Sequence, residues 1–351
     1  MSDVVLPESE ASSLEGRATA SMFGLAFGDS FGARTEFLSV EEIVRRYPPA
    51  GPETLTGFPA SVTDDTQMAL AVGEALLASS QPYSVASLEK PLREAFIAWS
   101  ISPENNRAPG TTCLDACSRL EKGLSWQKAT VIHSKGCGAN MRVAPVGLLP
   151  VGRNGLIETT RAAIAQFQGA LTHGHPTALA ASDLTSAALV LLQSNMALSK
   201  LPEALLEYAQ SQRTIYHGDW LSELWKQANA STPEAYIAQG WDECIVALKR
   251  LETALAWPDR QSDPCLATGA GWIAEEALAT GLYCLLLYPD EPVKALQRAA
   301  TTSGDSDSIA CLTGAFAGAR YGKEIWPEKW YAQIEYANRL TRLGDFLEMA
   351  S

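Results

Sequence analysis

Two short acidic clusters, Thr63-Asp64-Asp65-Thr66 and Gly304-Asp305-Ser306-Asp307-Ser308, lie near opposite ends of the 351-residue chain, and each runs straight into a helix-like stretch of apolar and small residues. Aspartates this close together repel one another and are costly to bury unpaired. A packed domain holds them side by side chiefly where a divalent cation sits between them. Read as two halves of one metal site, the clusters require both ends of the chain to meet in one body. Hydroxyls of Thr63 and Ser308 would complete an all-oxygen shell, which suits Mg²⁺ or Mn²⁺ better than zinc. Each cluster taken singly has a plainer explanation: Thr63 is a good N-cap, and Asp64 and Asp65 in a first helical turn complement the helix dipole. The repetition of acids with capping hydroxyls at a second helix start weighs against caps alone.

The rest of the chain is patterned for helices. Leu14, Ala18, Met22, Leu25 and Ala26 recur at helical spacing and end at Gly28-Asp29-Ser30-Phe31-Gly32. Met68, Val72, Ala75 and Leu76 mark a helix after Thr63, and the same period returns at Leu184, Ala188 and Leu191, at Ile245, Leu248, Leu251 and Leu255, and at Ile309, Leu312 and Phe316. Alternating strand patterns with Asn-Gly or Asp-Gly turns are scarce, so the fold expected is all-α. Segments 47–62, 101–111, 133–150 and 257–271 are rich in Gly, Pro and polar residues and read as loops. Residues 1–13 read as a flexible tail and 14–351 as one compact multi-helix domain, without an interdomain linker or internal repeat.

Charge narrows the range of partners. Lys plus Arg is 27 against 40 Asp plus Glu, a net charge of −13. That argues against a surface built to follow nucleic-acid phosphates or anionic lipid. Seven scattered cysteines fit reduced thiols in a cytoplasmic protein, and Cys113 and Cys117, four apart on an expected helix, read as buried small side chains. The N-terminal residues have no signal-peptide pattern, and no apolar stretch reaches membrane-spanning length.

Three further motifs are weak individually. Gly136-Cys137-Gly138-Ala139-Asn140-Met141-Arg142 can present backbone N–H groups to a diphosphate, although its spacing matches neither the P-loop nor the dinucleotide fingerprint and a tight turn would also explain it. His173 and His175 sit on a turn before a helix; they form a His-x-His pair without a third zinc ligand, and a ligand-contacting, capping or structural role is open. Glu36 follows Arg34 and Thr35 in a loop and, by itself, reads as a solvated carboxylate.

Together, Gly28-Asp29-Ser30-Phe31-Gly32 with Glu36, Thr63-Asp64-Asp65-Thr66, the Gly136–Arg142 loop with Pro145, Thr172-His173-Gly174-His175-Pro176 and Gly304-Asp305-Ser306-Asp307-Ser308 resemble the ADP-ribosylglycohydrolase family, in its motif order, over about residues 16–322. The resemblance implies an all-α fold with a binuclear Mg²⁺ centre, Mn²⁺ in some members, at the bottom of an ADP-ribose cleft. It assigns Thr63, Asp64, Asp65 and Asp307 to one ion and Asp305, Asp307 and Ser308 to the other. Gly136, Gly138, Ala139, Asn140 and Met141 would line the diphosphate and ribose region, with His173 close to the nucleotide. Some members have Gly-Asn-Gly where this chain has Cys137 between glycines. The activity implied is metal-dependent hydrolysis of the bond joining ADP-ribose to a protein side chain, with arginine the favoured acceptor and Glu36 and Asp65 the catalytic carboxylates. Expected partners are an ADP-ribosylated protein, ADP-ribose and a cognate ADP-ribosyltransferase. The rival class is an immunity or regulatory protein that blocks such a transferase, and a further one is a structural relative that has lost ligands.

Overall fold

The computed structural model describes residues 16–150 and 157–349. The tail expected over 1–13 and the domain start near Leu14 lie outside the described residues. Among the described residues, helical periodicity becomes twelve helices of nine or more residues: α1 (Arg17–Gly32), α2 (Asp64–Ala78), α3 (Val85–Ser100), α4 (Thr111–Glu121), α5 (Glu158–Ala170), α6 (Pro176–Gln193), α7 (Leu201–Gln212), α8 (Pro233–Ala256), α9 (Ala274–Leu287), α10 (Pro292–Ala300), α11 (Ser306–Tyr321) and α12 (Ala337–Met349). No strand occurs among the described residues; three isolated bridges tie loops together, Ala60 to Ile334, Val131 to His173 and Gly136 to Ile273. The all-α expectation holds.

Two helices form the centre. Every residue of α1 is buried, as is 306–319 of α11. Neither shows a polar face, because neither faces water. They run antiparallel in backbone contact, and glycine makes that distance possible. A Cβ on Gly28 would stand 1.9 Å from the Ala310 carbonyl oxygen, one on Gly24 2.2 Å from that of Gly314, and one on Gly318 2.2 Å from that of Ala20. Around this pair, Phe27 meets Trp326 and Trp330 edge-on at 5.8 and 5.4 Å between ring centroids. Helix α12 packs on α1, while α9 and α10 flank α11.

The same contact corrects one boundary. Gly28-Asp29-Ser30-Phe31-Gly32 does not end the first helix but forms its last turns. Glycine disfavours an isolated helix by about 1 kcal/mol relative to alanine, and here tertiary packing overrides that preference. The chain turns only after Gly32, whose carbonyl accepts from the N–H groups of Thr35 and Glu36, both at 2.9 Å. Two expected loops also contain helical turns, Cys137–Ala139 and Ala144–Gly147 within 133–150, and Cys265–Thr268 within 257–271.

A second group of helices packs against the first through α6, which touches α5, α8, α9 and α11. Its polar anchor is Arg161 on α5, fully buried and donating to Asp183 Oδ1 at 3.0 Å, Tyr208 Oη at 2.6 Å and Ser186 Oγ at 2.5 Å. All seven cysteines are unpaired. Among the described residues no helix is long and apolar enough to cross a membrane.

Overpacking a close helix contact costs about 1–3 kcal/mol, occasionally more. Gly28→Ala is therefore expected to lower the melting temperature by several degrees, because its new methyl group meets Ala310 backbone. Gly218→Ala, where the nearest atom to an added Cβ is Tyr216 Cδ1 at 3.9 Å, should leave it nearly unchanged. Scanning calorimetry of both variants is the check.

Candidate active site

Because α1 and α11 are antiparallel, the end of α1 lies beside the start of α11, and the start of α2 closes on both. Asp29, one turn from the end of α1, joins them. It is fully buried and accepts from Thr63 N at 3.0 Å, Thr63 Oγ1 at 2.8 Å, Thr66 N at 3.1 Å and Thr66 Oγ1 at 2.5 Å. Burial, and then Asp307, pushes its carboxyl up to about 7 against those four donors. Sequence reasoning gave Asp29 no role; the available signal was an acid within an otherwise apolar helical run.

The acidic clusters do converge. Glu36, Asp64, Asp65, Asp305, Asp307 and Ser308 line one cleft of about 410 Å³. Carboxylate oxygens of Glu36, Asp305 and Asp307 all lie within 4.8 Å of one another. Asp64 Oδ2 accepts from Gly110 N at 3.1 Å, and Asp307 Oδ1 from Ser308 N at 3.1 Å. Asp65 Oδ2 is buried without a hydrogen-bond partner. At the two helix starts the cap explanation divides: Thr63 Oγ1 caps α2 by accepting from Asp65 N at 3.3 Å, whereas Asp305 at the start of α11 makes no side-chain cap bond.

Crowding shows in the proton affinities. Burial, then Asp307 and Asp64, raises Glu36 to about 9. Burial raises Asp64 to about 7, opposed by the Gly110 hydrogen bond and reinforced by Asp307. Asp65 and Asp305 are held well above the usual carboxylate range by burial and then by Asp307. Glu36 is thus half-buried and strongly perturbed, and the reading of it as a solvated loop carboxylate is overturned.

Of the other residues singled out by sequence, Gly136, Gly138, Met141 and His173 line the same cleft. Ala139 and Asn140 support the loop from behind, where Ala139 O accepts from Gln168 Nε2 at 2.8 Å and Asn140 Nδ2 donates to Ala274 O at 3.0 Å. Thr63 opens instead onto an adjoining cavity of about 500 Å³ that Glu36 also lines. His173 is buried with Nδ1 2.8 Å from Thr172 Oγ1, and burial, then Arg142, lowers its proton affinity far below the ordinary imidazole value. Both glycines pack closely here: a Cβ on Gly138 would stand 2.9 Å from Cys113 Sγ and 3.0 Å from the His173 ring, and one on Gly136 3.3 Å from that ring. At the mouth, Phe37 and Trp272 stack with centroids 5.7 Å apart while 68% and 43% exposed, an aromatic pair that sequence spacing did not disclose.

A larger cavity of about 820 Å³ lies along α8 beside Lys135, with arginines and carboxylates mixed on its walls. The acidic pile-up is in the smaller cleft. That donor set, carboxylates and a hydroxyl with one buried oxygen unbonded, is chemically suited to a hard divalent cation.

The family model of ADP-ribosylglycohydrolases matches residues 10–351. The chain is 26% identical over 331 residues to the ADP-ribosyl-[dinitrogen reductase] glycohydrolase of Rhodospirillum rubrum, covering 92% of each chain. It is 26% identical over 351 residues to the ADP-ribosylarginine hydrolase Tri1 of Serratia proteamaculans, covering 98% of this chain and 81% of that one. A solved structure titled ADP-ribosylglycohydrolase-related protein complex superposes with a TM-score of 0.61 at 21% identity, over 97% of this chain and 99% of that one, a likeness in fold.

Raised carboxyl groups reverse the usual acid sensitivity. Relative to the unfolded chain, whose carboxyls titrate near 4, the folded cleft binds extra protons up to about 7 at Asp29 and Asp64 and about 9 at Glu36. Their contribution to stability is complete below the unfolded values and is lost as pH rises through the folded ones. Chelator-treated protein should therefore melt at progressively lower temperature from about pH 5 to about pH 9, and Glu36→Gln should flatten the upper part of that fall. Melting curves across this range test both.

Proposed function

The chain belongs to the ADP-ribosylglycohydrolase family, and from that premise we propose that this cleft is the site of a metal-dependent hydrolysis releasing ADP-ribose from modified arginine side chains. The observation carrying the reading is the convergence of two distant acidic helix starts on one cleft walled by the glycine loop and His173. Arginine is favoured as acceptor on the similarity to an ADP-ribosylarginine hydrolase across nearly the whole chain.

Asp64, Asp65 and Asp307 would hold one ion, with Thr63, whose hydroxyl donates to Asp29, as a further ligand; Asp305, Asp307 and Ser308 would hold another. Two Mg²⁺ ions, or Mn²⁺ in their place, would supply the positive charge that keeps these carboxylates ionised and a grip on the hydroxyls of the distal ribose. The unbonded Asp65 Oδ2 supports this assignment, since a buried carboxylate oxygen without a partner is costly unless something coordinates it.

Hydrolysis breaks the bond from ribose C1″ to the guanidino nitrogen while positive charge develops on the sugar. Glu36 is the proposed acid: burial raises its proton affinity, which suits it to carry a proton to the departing nitrogen. Asp65 is the proposed base, receiving a proton from the water that attacks C1″. The Gly136–Met141 loop would hold the diphosphate through its backbone, with His173 fixing the loop from below. Exposed Phe37 and Trp272 would cover the mouth and limit water around the reacting bond.

Release of ADP-ribose from arginine-, serine- and glutamate-linked proteins, with Mg²⁺, Mn²⁺ or chelator, separates the parts of this proposal. Chelation, Asp305→Ala and Asp307→Ala should abolish release, and Glu36→Gln should lower kcat by about 10²–10⁴-fold with a smaller change in KM. Wild-type rates in the two aspartate variants would sink the metal assignment, and preferential release from serine would sink the arginine one.

A further inference from the structure

The glycine loop brings sulfur to a site otherwise made of oxygen. Cys137 lies between Gly136 and Gly138 on the cleft wall, with Sγ 3.1 Å from Asp305 Oδ2 and 3.0 Å from Ser308 Oγ. Both neighbours belong to the same proposed ion-binding set. Asp65, 2% exposed, lines the same cleft, and its buried Oδ2 has no hydrogen-bond partner, which suits it to a positively charged or hydrogen-donating ligand. Cys113 lines the same cleft and Cys311 is buried near Asp65, but the hydrogen bonds of their sulfurs go elsewhere: Cys113 Sγ accepts from Arg142 Nη1 at 3.5 Å, and Cys311 Sγ donates to Met141 O at 3.7 Å.

Donor type governs metal choice. Carboxylates and hydroxyls select hard ions such as Mg²⁺, whereas a thiolate selects softer ones such as Zn²⁺ and Cd²⁺. Resting on the reading of this cleft as a metal site, we propose that Cys137 is a soft ligand that lets the Asp305 and Ser308 side of the cleft take a thiophilic divalent cation. A metal–sulfur bond forms as the S–H bond breaks, and the proton passes to buffer. Cys137 then governs ion selectivity: a thiophilic ion competes with the hard one for Asp305, and the outcome depends on which is abundant.

The test uses the metal-free full-length chain and does not depend on activity. Cd²⁺ is titrated while the ultraviolet thiolate-to-Cd²⁺ charge-transfer band is followed, and Mg²⁺ is titrated separately by calorimetry. Wild type should develop the band with saturation near one equivalent. Cys137→Ser should lose it and bind Cd²⁺ about ten-fold or more weakly, while Cys265→Ser, altering the one cysteine that is not buried, should keep it. Cys137→Ala provides the same comparison if the serine variant fails to fold by circular dichroism. A band that persists in folded Cys137 variants, or its absence from wild type that binds Mg²⁺, overturns the role of the thiol alone. Absence of both the band and Mg²⁺ binding overturns the metal reading of the cleft as well.

Discussion

Backbone can approach backbone only where side chains stop, and along the α1–α11 contact they stop at Gly24, Gly28, Gly32, Gly314 and Gly318. An added Cβ at any of these would fall inside the van der Waals envelope of the opposite chain. The resulting closeness sets the position of everything polar at one end of the pair. Asp29 and Asp307 come from different ends of the sequence, yet they lie near enough for Asp307 to raise the proton affinity of Asp29. Moving the helices apart by a methyl group would open the cleft floor as well as the core.

That geometry concentrates negative charge, and the fold only partly offsets it. The starts of α2 and α11 both direct their positive dipole ends to the cleft, and backbone donors from Gly110 and Ser308 reach Asp64 and Asp307. Threonines from the start of α2 are committed to Asp29. Even with its four donors Asp29 keeps a raised proton affinity, as do Glu36, Asp64, Asp65 and Asp305. Protonation or cation binding are the two ways of relieving such a cluster, and they compete for the same oxygens.

The helices and both acidic starts were legible because their signals are local: apolar spacing, capping hydroxyls and adjacent aspartates. Non-local consequences were not. Asp29 reads as one polar residue in a helix until Thr63 and Thr66 are folded onto it, and glycines of α1 read as a helix end until α11 lies against them. Phe37 and Trp272 have no sequence relation that would pair them; their stacking depends on the turn after Gly32 and the segment before α9. The Gly136–Arg142 loop was recognisable as a unit, but which residues face the cleft and which brace the loop depends on Gln168 and Ala274, which are remote in sequence.

The central helix pair also imposes an order of assembly. Helix α11 begins at Ser306, so most of the chain must already exist before α1 can find its partner. Contacts of such sequence separation carry a large loop-closure cost and tend to form late. Until then the glycine-rich face of α1 has no matching surface, and Asp29 has no second acidic cluster beside it. The acid cleft is consequently a property of the completed chain: synthesis that stops short of residue 305 leaves half of a charge cluster on an unpartnered helix and no centre at all.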